Sequence, residues 1–221
     1  AAPTMIASRL PSARPTSSSR RPRREGPHSE RKWGAALEKP YEPGAPRVQG
    51  LTRWLKQREL ALFATLHIRL ARRWLDRTMR LVTELAGPLP SIGLCALYLF
   101  HPRLHHPWGW RMVAAVGGSH LLVQLLKHLV QRDRPYLVVE GSRGIVAPLL
   151  DHSFPSGHTT SATSMAVVLS AANPGLAPVL ILLASLVAFS RMYLGHHYPS
   201  DVLAGAVLGT LSGRGALTLI A

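Results

Sequence analysis

The chain carries a single cysteine, Cys95. No intrachain disulfide can therefore staple the fold, and Cys95, set in an apolar run, reads as a small buried hydrophobe. Charge is missing from a second place. Between Thr159 and Ser190 there is no Lys, Arg, Asp or Glu. Such a run is too long for an ordinary core helix and fits a membrane hairpin broken at Asn173-Pro174-Gly175. The N-terminal stretch lacks both an apolar core and a small-residue cleavage site, so a conventional signal peptide is not expected there. It also lacks apolar periodicity. Residues 1–50 are rich in Pro, Ser, Arg and Gly and bury too little apolar surface to offset chain entropy, so a disordered basic tail is expected.

What is abundant is positive charge, a formal +15, and it is uneven. Lys plus Arg number 10 in residues 1–50, 8 in residues 51–80 and 8 in residues 81–221. A basic lead suits nucleic acid or an anionic membrane face. No nucleic-acid-binding motif accompanies it, so the expected partners are membrane lipids with anionic headgroups and not nucleic acid. In residues 51–80, Leu51, Leu55, Leu62, Leu66 and Leu70 recur at helical spacing, with Trp54, Phe63 and Trp74 nearby and eight Lys and Arg on the polar side. The pattern predicts an amphipathic interfacial helix, or a basic helix packed on the rim of the following domain.

Residues 81–221 are expected to form a transmembrane domain. Five apolar segments suggest spans near 81–100, 112–130, 156–172, 176–193 and 201–221, so the fold expected is all-α, a helical transmembrane bundle of about five spans. Gly205, Gly209 and Gly213, spaced four apart, permit close helix packing inside the bundle or between copies. The basic lead predicts a cytoplasmic N-terminus in an integral, multi-pass membrane protein.

Three short motifs sit at span ends. Lys127 and Arg134-Pro135 close the second span. Pro155-Ser156-Gly157-His158 opens the third. Ser190-Arg191, His197 and Asp201 bridge the fourth and fifth. Counting crossings puts all three on one membrane face. Lys127, Arg134 and Arg191 can hold the oxygens of a transferring phosphoryl group. Alone, each would read as an anchoring charge at a helix end. Ser156 can cap the third span and touch phosphate, while Gly157 lets backbone approach an anion. His158 can act as general acid. His197 is the candidate attacker, with Asp201 accepting a hydrogen bond from its other ring nitrogen. His196 competes with His197 by position, but its spacing to Arg191 and Asp201 is off by one.

At these residues the chain resembles the type 2 phosphatidic acid phosphatase superfamily, whose signature is K-x6-RP, PSGH, SR-x5-H-x3-D. Every fixed position is present, in order. The resemblance implies a metal-independent lipid phosphatase without cofactors, of the lipid phosphate phosphatase branch, similar to small bacterial members or polyisoprenoid diphosphate phosphatases. By matching positions it implies Lys127, Arg134, Ser156, Gly157 and Arg191 as phosphate ligands, His158 as acid, His197 as nucleophile and Asp201 as its partner. The soluble vanadium haloperoxidases of the same family do not fit five apolar spans. The expected function is removal of a terminal phosphate from a lipid phosphate or diphosphate through a phosphohistidine. The alternative is a non-catalytic membrane protein that binds anionic headgroups with the same cations. Phosphatidate, polyprenyl diphosphates and sphingoid phosphates all remain open as substrates. Two further groups read as ordinary loop residues: His101, His105 and His106 between the first two spans, and Asp133, Glu140, Arg143 and Asp151 as salt-bridged neighbours of the site.

Overall fold

The computed structural model describes residues 51–101, 106–145 and 149–220, with backbone alone at 51–54 and 106. The expected tail at 1–50 and His105 lie outside the described residues. All regular structure among the described residues is helical.

The segment expected as one amphipathic helix is two. Helix α1 (Leu51–Ala64) runs into a π-helical turn (Thr65–Arg69), and after a non-helical break α2 spans Arg73–Glu84. Tertiary contacts impose the break. His67 and Phe63 are fully buried and their rings stack 5.1 Å apart. His67 Nδ1 donates to the Tyr193 carbonyl at 2.8 Å, and its Nε2 accepts the Arg143 N–H at 2.9 Å. Tyr193 Oη accepts the Arg72 N–H at 3.3 Å, within the break itself. Gly195, at φ +85°, makes this possible: a Cβ there would lie 2.7 Å from the His67 ring. The rim-packing alternative therefore describes these residues better than a helix lying free on a surface.

The first expected span is also divided. Leu85, Ala86 and Gly87 separate α2 from α3 (Pro88–Phe100), and the pair is bent by 40°. Proline at the first helical position starts α3, where its missing N–H costs nothing. Helix α4 (His106–Val130) follows, then the single turn α5 (Pro135–Val138). Helix α6 (Gly157–Ala172) ends where Asn173 meets Pro174, and a 3₁₀ turn (Pro174–Leu176) leads to α7 (Ala177–Tyr193). Helix α8 (Pro199–Leu219) closes the bundle.

Helices thus occupy all five expected positions, but fewer qualify as spans. Pro107–Val138, Pro174–Tyr193 and Pro199–Leu219 are long and apolar enough to cross a membrane, and the bent α2–α3 pair would make a fourth. With 16 residues, α6 reaches only about 24 Å against a hydrocarbon core of about 30 Å. It compensates by being the central element. Thr159, Thr160, Ala162, Ser164, Met165, Ala166 and Val168 are all buried on it, and it packs against α4, α7 and α8. Leu121, Ile181, Leu203 and Leu211 remain exposed on the outer helices, as expected where the surrounding medium is itself apolar. Cys95 is half-buried against the core.

The glycine stripe of α8 lies against α6. A Cβ at Gly205 would meet the Ser156 carbonyl oxygen at 2.7 Å, one at Gly209 the Thr160 carbonyl oxygen at 2.4 Å, and one at Gly213 the Val167 Cβ at 2.7 Å. These are mostly backbone obstacles, so only glycine lets the two helices close. The register this fixes brings the start of α6 beside the start of α8, where Ser156 N–H donates to the Asp201 carbonyl at 3.0 Å. Gly209→Ala is expected to cost about 1–3 kcal/mol through overpacking. Gly215→Ala, whose Cβ would meet nothing within 4 Å, serves as the control. Thermal unfolding in detergent should show a lowered midpoint for the first and none for the second.

Candidate active site

All three motifs converge at one end of the bundle. Arg134, at the start of α5, is 2% exposed and forms the hub. Its Nε donates to the Asp151 carbonyl at 2.9 Å and its Nη1 to the His196 carbonyl at 2.9 Å. Its Nη2 pairs with Asp151 Oδ1 at 2.6 Å, and Nη1 lies 3.4 Å from His197 Nε2. Lys127, from the last turn of α4, pairs with the other Asp151 oxygen. The Asp151 carboxylate therefore bridges two of the three motif cations, as an anionic ligand would. Burial alone would raise its carboxyl pKa, but the Lys127 hydrogen bond and the charges of Arg134 and Lys127 outweigh that and hold it well below the usual carboxylate value. Asp151 is thus a salt-bridged loop residue, as expected, and it is also inside the site.

His197 sits in the α7–α8 turn and is 1% exposed. Its Nδ1 lies 2.6 Å from the Ser153 carbonyl. A carbonyl only accepts and a guanidinium only donates, so both neighbours demand one tautomer: Nδ1 carries the proton and Nε2 presents its lone pair toward Arg134. Burial, then the charges of Arg191, Arg134 and Lys127, hold the ring well below its ordinary pKa, so it is neutral at pH 7. One expectation is corrected here. Asp201 does not take the Nδ1 hydrogen bond, because its Oδ2 is 3.6 Å away. The Ser153 carbonyl has that role. Asp201 is instead a fully buried carboxylate beside the ring, accepting the Tyr198 N–H at 2.9 Å and Arg132 Nη1 at 2.6 Å. The first of these bonds also satisfies the open N–H of Tyr198, the N-cap of α8.

Ser156 occupies the N-cap position of α6 but makes no side-chain cap bond. Its Oγ meets Thr159 Oγ1 at 2.9 Å instead, which corrects the capping expectation. Gly157 opens the helix, and a Cβ there would make only ordinary contact with Val123 at 3.6 Å. Packing within the chain therefore does not require glycine at this position. His158 is half-buried in the first turn of α6, within electrostatic reach of Arg191, Lys127 and Arg134. Arg191 is 2% exposed and donates Nη1 to Thr83 Oγ1 at 2.9 Å, while its Nε has no partner. His196 is 5% exposed, with both ring nitrogens unpartnered and the Tyr136 ring edge-on at 6.0 Å. Burial, Arg191 and the neighbouring His197 push its pKa down. Of these neighbours, the Ser153 carbonyl and Thr83 carried no sequence signal. A backbone acceptor is not residue-specific, and Thr83 lies well before the first motif.

The arrangement is one carboxylate paired with two cations, a third cation within its electrostatic reach, and an imidazole lone pair facing the Arg134 guanidinium. The PAP2 superfamily pattern matches residues 108–221, more than half the chain. The chain belongs to the PAP2 superfamily. It is 38% identical over 131 residues to the decaprenylphosphoryl-5-phosphoribose phosphatase of Mycobacterium tuberculosis, covering 57% of this chain and 66% of that one. It is 30% identical over 142 residues to the undecaprenyl-diphosphatase BcrC of Bacillus subtilis, covering 63% of this chain and 72% of the relative. Among solved structures, Aquifex aeolicus LpxE superposes with a TM-score of 0.66 at 29% identity, covering 72% of this chain and 94% of LpxE. The PAP2 match takes in all three motifs and leaves out α1, α2 and α3.

Asp151 occupies Lys127 and Arg134, so an anion entering between those cations would compete with its carboxylate. Asp151→Asn is expected to tighten inorganic phosphate binding about tenfold, because the competing internal anion is gone. Titration calorimetry reads this directly. Unchanged or weaker binding would mean that Asp151 supports the cradle and does not compete for it.

Proposed function

We propose that this chain is an integral membrane phosphatase that removes the terminal phosphate of a lipid phosphate or diphosphate, without a metal, through a phosphohistidine on His197. The observation that carries the reading is the shared guanidinium: Arg134 holds the Asp151 carboxylate at 2.6 Å on one arm and faces His197 Nε2 at 3.4 Å on the other. An anion taking the carboxylate's place lies next to an available lone pair.

In the first half-reaction the Nε2–P bond forms as the P–O bond to the lipid breaks. Lys127, Arg134 and Arg191 stabilise the charge on the equatorial oxygens. His158, protonated once the incoming phosphate anion offsets the charges of Arg191, Lys127 and Arg134 around it, gives its proton to the departing oxygen. The positive charge on His197 is steadied by the Asp201 carboxylate, and Nδ1–H stays on the Ser153 carbonyl. In the second half, water attacks phosphorus, the N–P bond breaks, and His158 takes the proton from water. Ser156 and the opening backbone of α6 at Gly157 contribute donors at the helix N-terminus. The fixed cations supply the charge neutralisation, so neither metal nor cofactor is required.

For substrate class, the polyprenyl phosphates and diphosphates have the most support. The two relatives described above are named for polyprenyl substrates. A largely apolar groove of about 770 Å³ between α6, α7 and α8 starts at Thr159, beside Ser156, and runs to Thr218 at the far end of α8. It is lined by Ala166, Ala184, Ala188 and Ala206 among others, which leaves room for a branched chain.

His197→Ala is expected to lower kcat at least about a thousandfold, and His158→Ala about 10²–10⁴-fold. Quenching with a radiolabelled phosphate donor should trap an acid-labile, alkali-stable phosphoryl-enzyme in wild type and none in His197→Ala. In a panel run with and without EDTA, long-chain polyprenyl diphosphate should turn over faster than glycerolipid or water-soluble phosphates, with no loss on chelation. Wild-type rates in His197→Ala would overturn the mechanism.

On the charge asymmetry, the N-terminus is cytoplasmic. Glu59 on α1 reaches Ser200, which sets α1 at the same end as the motifs. Lys56→Cys should therefore resist an impermeant thiol reagent in intact cells and react after lysis. Labelling in intact cells would reverse the orientation.

A further inference from the structure

The partners of Asp201 lead out of the family motifs. Asp201 Oδ1 accepts Arg132 Nη1 at 2.6 Å. The other arm of the same guanidinium, Nη2, pairs with Glu59 Oε2 at 2.7 Å. Glu59 Oε1 accepts the Ser200 N–H at 3.0 Å and is also bonded by the Ser200 hydroxyl, which receives Arg132 Nη1 at 2.7 Å. The guanidinium carbon lies 3.9 Å from the centre of the Tyr198 ring. The turn that carries His197 and Asp201 is therefore gripped from two elements: α1, which lies outside the PAP2 match, and the link between α4 and α5. Arg132 stands at one of the six unspecified positions of the first motif.

The charge arrangement has a consequence. A guanidinium with a single carboxylate forms a compact bidentate pair that draws the acid onto itself. Here the fork is divided between two carboxylates, and the trio of Glu59, Arg132 and Asp201 keeps a net charge of −1. Asp201 stays oriented, with Oδ2 3.6 Å from His197 Nδ1. Were Glu59 neutral, Arg132 could close both arms on Asp201 and turn it from the ring. We propose that Glu59 and Arg132 are positioning residues for the reaction, holding Asp201 at the His197 ring through a divided guanidinium, so that α1 is an integral part of the active centre. The inference rests on the phosphatase reading above.

The pair could instead only fasten α1 to the bundle, and a double-mutant cycle separates the two roles. Glu59→Gln is nearly isosteric and is expected to lower kcat on the order of 10- to 100-fold, because small displacements of reacting groups are costly. The inhibition constant for inorganic phosphate should stay within about twofold, since the cradle cations are untouched. In an Asp201→Asn background the same change should cost less than about twofold, because its effect runs through Asp201. Arg132→Lys keeps the charge but loses the fork, and should repeat the pattern if Glu59→Gln proves poorly folded. The proposal is overturned if Glu59→Gln keeps wild-type kcat, or if its loss multiplies in full with that of Asp201→Asn. A wild-type protein inactive on every lipid phosphate would instead defeat the underlying phosphatase reading.

Discussion

A guanidinium buried beside two other cations and two histidines can persist only where an anion and several acceptors meet it. Arg134 has both: the Asp151 carboxylate on one arm, and the carbonyls of Asp151, His152 and His196 around it. Removing those partners would leave an uncompensated charge at the edge of an apolar bundle, which costs several kcal/mol. This one group ties the end of α4, the loop before α6 and the turn before α8 into a single structure. Everything chemical about the chain depends on that junction. It also explains why Asp151 belongs in the site. Three cations gathered at one end of the bundle repel one another, and the nearby Asp151 carboxylate relieves that repulsion.

The bundle beneath the junction is organised to deliver it. Helix α6 is short, lacks charge and is buried on several faces by small and hydroxylated residues. Helix α8 presents glycines at Gly205, Gly209 and Gly213, and the two backbones close until only glycine fits. Close contact fixes the relative height of the two helix starts, and those starts carry Ser156, His158 and Asp201. Packing below and chemistry above are therefore one constraint. A change of one register step would break the bond from the Ser156 N–H to the Asp201 carbonyl that joins the two starts.

The PAP2 residues were legible because their spacing is set by span ends. Each motif marks the place where an apolar run stops, and counting crossings brings them to one face without coordinates. The glycine stripe was legible for the same reason, as a four-residue period within one helix. The illegible features are those with no sequence period. The single helix expected over 51–80 breaks because His67, Arg72 and Tyr193 find each other across the fold. The continuous span expected near 81–100 is broken ahead of Pro88, where the chain passes from one helix to the next through Gly87. The His197 Nδ1 proton goes to the Ser153 carbonyl and not to Asp201, and no side-chain motif can announce a backbone acceptor. The absent cap bond of Ser156 is similar, since Thr159 offers its hydroxyl a partner one turn on.

By itself, the sequence determined the helical class, the alignment of the three motifs on one face, and the inventory of cations and imidazoles at the span ends. These follow from local patterns: apolar run length, residue type and fixed spacing. Tertiary structure alone decided which atoms meet. It assigned the His197 tautomer, placed the Asp151 carboxylate between Lys127 and Arg134, and brought Glu59 from α1 to the guanidinium that holds Asp201. Such contacts join residues far apart in the chain, through backbone carbonyls and single side chains with no recurrence, and only the packed bundle sets their distances.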